Sequence, residues 1–127
     1  MIDHFSLGVA DFGRSMPFYE ALLAPLGFRL MSNAGEEAGF GNETVGRPFY
    51  LYAIDVAARG PVAAPGTHVA FACPGAATVD AAFAAAMGAG ATEARSPARR
   101  PELSASYYGA IVLDPDGHRV ELVAYLP

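Results

Sequence analysis

The pattern strand–helix–strand–strand–strand is written into this chain twice, and that repetition restricts the fold more than any other feature of the sequence. In the first copy, residues 2–9 alternate. Phe5, Leu7 and Val9 make one face, and Ile2, His4, Ser6 and Gly8 the other, as in a strand with one side buried. Phe18, Tyr19, Leu22, Leu23 and Leu26 then recur at helical spacing over residues 16–26, with Asp11 or Ser15 as the cap and Gly27 as the stop. Residues 28–32, 36–42 and 49–54 read as three further strands. The second copy opens at residues 67–73, where Val69, Phe71 and Cys73 face one way and His68, Ala70 and Ala72 the other. An alanine-rich helix over 76–87 ends at Gly88 and Gly90, a strand spans 91–96, and a loop spans 97–106. Two apolar runs, 108–113 and 120–125, then form a hairpin around Asp114-Pro115-Asp116-Gly117, residues suited to a tight turn. Two units that each expose an oily face bury it together. The expectation is one α+β domain of two βαβββ modules, residues 1–57 and 66–127 with a linker over 58–65, forming a curved sheet around a central cup.

One residue in the closing hairpin resists a purely structural role. Glu121 stands between Val120 and Leu122 in the return strand, and a carboxylate there needs solvent, a partner or a metal. Aligning the ends of the two modules lays Glu121 over Tyr50. His4 and His68 hold the same place in their repeats, each on the small-residue face of a strand. If both modules curl the same way, the three side chains converge in the cup. Two imidazoles and a carboxylate suit a divalent metal with open positions: Fe(II), Mn, Ni or Zn. Tyr50, Tyr52, Tyr107 and Tyr108 are candidates to line the pocket, with Tyr50 also able to donate a proton. The simpler alternative is a pair of hydrogen-bonded core histidines, with Glu121 bridged to Arg119 or Arg47.

Composition removes several classes of function. The net charge is -5, and Arg99-Arg100 is the sole basic pair, so a nucleic-acid surface is not expected. No apolar run is long enough to span a membrane. The single cysteine, Cys73, excludes an intrachain disulfide and points to a cytoplasmic setting. It reads as a small core hydrophobe rather than a nucleophile.

These residues resemble the vicinal oxygen chelate superfamily, which groups glyoxalase I, extradiol dioxygenases, fosfomycin-resistance enzymes and bleomycin-resistance proteins. The likeness is carried by His4-Phe-Ser-Leu-Gly-Val-Ala-Asp11, Phe18-Tyr19, Leu26-Gly27-Phe28, Thr67-His68-Val69-Ala70-Phe71 and Leu113-Asp-Pro-Asp-Gly-His-Arg-Val-Glu121. It implies paired βαβββ modules, a homodimer, and metal ligands at His4, His68 and Glu121. The implied activity is that of a lyase, isomerase or dioxygenase acting on a small oxygen-bearing substrate. The alternative it carries is a metal-free small-molecule binding protein of the bleomycin-resistance type. Where glyoxalase I has a further glutamate this chain has Tyr50, and the set His-His-Glu is similar to that of extradiol dioxygenases. The sequence shows no evident basic cluster in the cup of the kind thiol transfer to fosfomycin would want.

Overall fold

Two four-stranded mixed sheets realise the repeat. A computed structural model describes residues 1–59 and 62–127. Its elements are β1 (Phe5–Val9), α1 (Phe12–Leu23) with a 3-10 turn (Ala24–Leu26), β2 (Arg29–Asn33), β3 (Glu37–Asn42), β4 (Gly46–Ala53) and a short α2 (Val56–Arg59). The second half holds β5 (His68–Ala72), α3 (Ala76–Gly88), β6 (Thr92–Arg99), β7 (Tyr107–Leu113) and β8 (Arg119–Tyr125). The sheet orders are β1-β4-β3-β2 and β5-β8-β7-β6. In each, the first strand of the module pairs in parallel with its last, which needs a crossover, here carried by the helix and two strands.

The repeat extends to register. Phe5 lies opposite Phe49 and Ser6 opposite Tyr50. Val69 lies opposite Val120 and Ala70 opposite Glu121. Tyr50 and Glu121 therefore occupy equivalent positions. On the helix side, alternate residues of both sheets join one core that includes Val9, Phe49, Leu51, Phe71, Val120 and Leu122. The rings of Phe5, Phe49 and Phe71 meet across the two modules, with centroids 5.4 to 5.9 Å apart for the pairs that involve Phe71. Burial of these side chains is the main stabilising term. Cys73 lies in this core, and burial pushes its thiol up to about 11. Among the described residues, no helix is long and apolar enough to cross a membrane.

The elements differ from the sequence expectation at their ends. β1 begins at Phe5, so His4 precedes the strand. Helix α1 begins at Phe12 under Asp11, whose carboxylate accepts from the Arg14 N–H at 3.1 Å. Ser15 lies inside the helix. Pro17 also falls inside, where its missing N–H weakens the turn. The buried Phe18, Tyr19, Leu22 and Leu23 offset that loss. β6 does not stop at Ser96 but runs through Pro97 to Arg99 with two register shifts. It is an edge strand, where proline breaks no ladder bond. The expected linker begins within α2, and its residues 60 and 61 lie outside the described residues.

The Asp114–His118 turn does more than reverse the chain. Asp114 is buried and accepts from the Tyr19 hydroxyl at 2.6 Å and from the backbone N–H groups of Asp116 and His118. Burial first, and then Asp114, hold the Tyr19 phenol well above its usual range. Asp116 accepts from the Ala10 N–H, and Arg14 donates to the Pro115 carbonyl. His118 Nε2 meets the Gly8 carbonyl at 2.8 Å. This turn of the second module clasps β1 and α1 of the first.

Candidate functional site

Each sheet has a face turned away from the helices, and strand alternation assigns the candidate residues to one side or the other. On the open face of the second sheet, His68 Nε2 lies 3.3 Å from Glu121 Oε2. The Glu121 side chain is 15% exposed and that of His68 52%. The other oxygen, Oε1, accepts from the Tyr107 hydroxyl at 2.8 Å. Tyr107 is only 5% exposed. Burial, and then the bond to Glu121, push its phenol up to about 12, against the opposing charges of Arg95 and Arg100. The ring can lie flat because position 109 is glycine. A Cβ there would come within 2.6 Å of Tyr107 Cζ and 2.8 Å of the Leu122 carbonyl oxygen.

On the equivalent face of the first sheet the chemistry is aromatic. His4 meets Tyr50 edge-on at a centroid distance of 5.5 Å, and Tyr50 stacks on Tyr52 at 6.3 Å. His4 Nδ1 is 2.5 Å from Asp3. Tyr52 lies opposite Glu37 across the strand pair. Gly39, opposite Tyr50, leaves room for that ring, since a Cβ there would stand 3.0 Å from Tyr50 Cε1.

The structure thus brings His68, Glu121 and Tyr107 together, and His4, Tyr50 and Tyr52 together, as two separate groups. Among the described residues, no three His, Cys, Asp or Glu side chains form one metal-sized cluster. Tyr108 lies on the helix side, where its hydroxyl donates to Asp80 of α3 at 2.8 Å. A cleft of about 170 Å³ separates the edge strands β1 and β5, with Phe5, Leu7 and Val69 as its apolar lining and His68, His118 and Arg119 among its polar residues. Sequence reasoning missed the Tyr107–Glu121 bond. Its signal is the spacing Tyr107-x-Gly109, which clears one face of β7 beside the glutamate.

The fold and its open faces define a class. The family model described as Glyoxalase/Bleomycin resistance protein/Dioxygenase superfamily matches residues 1–122, and the chain belongs to that superfamily. Among solved structures, the chain is similar to a glyoxalase/bleomycin resistance protein from Albidiferax ferrireducens T118, at 25% identity and TM-score 0.79, covering 95% of each chain. It is also similar to protein ATC0852 from Agrobacterium tumefaciens, at 25% identity and TM-score 0.71, covering 100% of this chain and 98% of that one. A glyoxalase/bleomycin resistance protein/dioxygenase family enzyme from Burkholderia phytofirmans PsJN shares the fold, at 17% identity and TM-score 0.74, covering 98% of each chain. A comparison with curated proteins finds no match.

Proposed function

We propose that the chain is a metal-dependent enzyme acting on a small oxygen-bearing substrate, as a lyase, isomerase or dioxygenase of the cytoplasm. The observation that carries this reading is the His68–Glu121 pair. Two donors on one Zn-like cation, each about 2.0 to 2.2 Å from it, sit roughly 3.0 to 3.5 Å apart. The 3.3 Å between Nε2 and Oε2 fits that spacing. The donor types suit Fe, Mn, Ni or Zn. A cation held there would polarise substrate oxygens at its open positions. Tyr107 occupies Oε1 and leaves Oε2 free to bind. Tyr50 would orient the substrate or give it a proton.

The third donor in this reading is His4 from a second copy of the chain. Within one chain His4 stands on the other sheet, beside Tyr50. A twofold dimer that sets the first module of one copy over the second module of the other would bring His4 to His68 and Glu121. The stacked Tyr50–Tyr52 pair favours a second reading, a metal-free ligand site of the bleomycin-resistance type. There, ligand affinity survives a chelator.

Elemental analysis of untagged protein separates the two. The first reading expects about one metal per chain, lost in His68→Ala and in Glu121→Ala. A parent that stays metal-free after incubation with Fe(II), Mn, Ni and Zn sinks it. The dimer is tested by mixing His4→Ala with Glu121→Ala. A heterodimer places both lesions in one site and restores the other, so metal binding returns on mixing. No recovery, with heterodimers demonstrated, rules out a shared site.

A further inference from the structure

We infer that the open face of the second sheet binds an anionic oxyacid group of the substrate, a carboxylate or a phosphate-type group, through Arg95 and Arg100, with Arg119 adding positive charge at the far end of the same face. The inference rests on the reading above in one respect, that the substrate reacts at the His68–Glu121 pair.

Register places the three arginines. Arg119 lies opposite His68. Arg95 lies opposite Ile111, and Ile111 opposite Glu121. Paired residues share a face, so both arginines stand on the side of the glutamate. Arg99 pairs with Tyr108 on the helix side, and the next residue, Arg100, bonds through its N–H to the Tyr107 carbonyl at 3.4 Å. Alternation then turns Arg100 to the face of Tyr107. The charges of Arg95 and Arg100 are both felt at the Tyr107 phenol, 2.8 Å from Glu121. Arg119 shares the inter-module cleft with His68.

None of the three has a carboxylate partner within ion-pair distance among the described residues, whereas Arg14 pairs with Asp116 and Arg29 with Glu43. Arg100 and Arg119 are half-buried. Arg100 Nε is buried with no hydrogen-bond partner. A buried donor left unmade is costly, and a cation half out of water more so. Glu121 is the one carboxylate that strand register places on this face. A chain with a net charge of -5 therefore carries a local excess of positive charge at its candidate reaction centre. Such a field concentrates anions. The guanidinium fork matches the paired oxygens of a carboxylate or phosphate, a geometry an ammonium cannot supply. Ile111 and Val123, buried on the same face, offer an apolar floor for the rest of a small molecule.

The test titrates inorganic phosphate and benzoate into chelator-stripped and metal-loaded protein at constant ionic strength, followed by heteronuclear NMR. At least one anion is expected to bind the stripped parent, and the tighter of the two names the oxyacid class. Arg95→Gln and Arg100→Gln should each weaken it at least tenfold, and Arg119→Gln, at the Leu113 end of β8, should weaken it less. Arg100→Lys should fall between, because it keeps the charge and loses the fork. Arg99→Gln, on the opposite side of β6, should change nothing. No binding of either anion, equal binding in all variants, or binding that appears only with metal would overturn the inference. Metal content measured on the same samples keeps the two ideas apart. A parent that holds metal and no anion defeats this inference alone, and one that holds anion and no metal defeats the metal reading alone.

Discussion

The two open faces share a backbone and differ in nearly everything mounted on it. Ser6 opposite Tyr50 and Ala70 opposite Glu121 are the same register position. Yet one sheet presents His4, Tyr50 and Tyr52 as a row of rings, and the other a carboxylate gripped between Tyr107 and His68. On the helix side the faces agree, because both must fill one core. Packing fixes the buried half of each strand, while the open half is free to carry chemistry. The same contrast holds at the hairpin tips. Asn42 accepts from the Thr44 and Val45 N–H groups in solvent. Asp114, in the matching turn, is buried and also holds Tyr19 of the other module.

That last pair gives the largest expected effect. Asp114→Ala strands the buried Tyr19 hydroxyl and two N–H groups, and should cost about 3 kcal/mol or more. Asn42→Ala should cost only ~1 kcal/mol. Equal losses in denaturant melts would erase the distinction between the turns. Next comes Gly109→Ala, whose Cβ meets Tyr107 and the Leu122 backbone. A loss of about 2 kcal/mol is expected. Gly39→Ala meets only side chains, of Ser32, Arg47 and Tyr50, and should cost less. Tyr107→Phe should lower stability by ~1 kcal/mol and weaken metal binding by roughly 10- to 100-fold, as loss of a partner to a ligand does. Unchanged metal affinity would show that Glu121 needs no help from Tyr107.

A pH series tests the same phenol. An unfolded tyrosine ionises near pH 10, whereas folded Tyr107 keeps its proton up to about 12. Its contribution is therefore whole below pH 10 and is lost as pH rises through 12, falling by ~1 kcal/mol near pH 11. Tyr107→Phe should flatten that part of the stability curve. The smallest effect is expected for Tyr52→Phe, an exposed ring. Its stability change should stay within ~0.5 kcal/mol, and a larger one would mean that the first sheet is as tightly organised as the second.

Alternation and the repeat made the two modules, the Tyr50–Glu121 equivalence and the His68–Glu121 face legible in the sequence, because each depends on local periodicity. The position of His4 was not legible. It sits one residue before β1, where no ladder bond orients it and Asp3 competes for its ring. The placement of Arg100 was hidden by Pro97, which reads as the start of a loop. On an edge strand it ends nothing, and β6 runs on to Arg99 and sets Arg100 beside Tyr107. Asp114 and Asp116 read correctly as turn residues. Their second role, holding the other module, depends on contacts between residues far apart in sequence, which no local pattern encodes.

The clasp also has a meaning in time. Its bonds join residues 95 to 110 positions apart, from Tyr19 with Asp114 to Gly8 with His118. During synthesis the first module emerges with the Gly8 carbonyl and the Ala10 N–H still open, and the groups that satisfy them follow more than a hundred residues later. Contacts of such long range are slow to close. Strand β1 therefore reaches its finished state only when the β7–β8 hairpin arrives, and the order in which the halves are made is not the order in which they become complete.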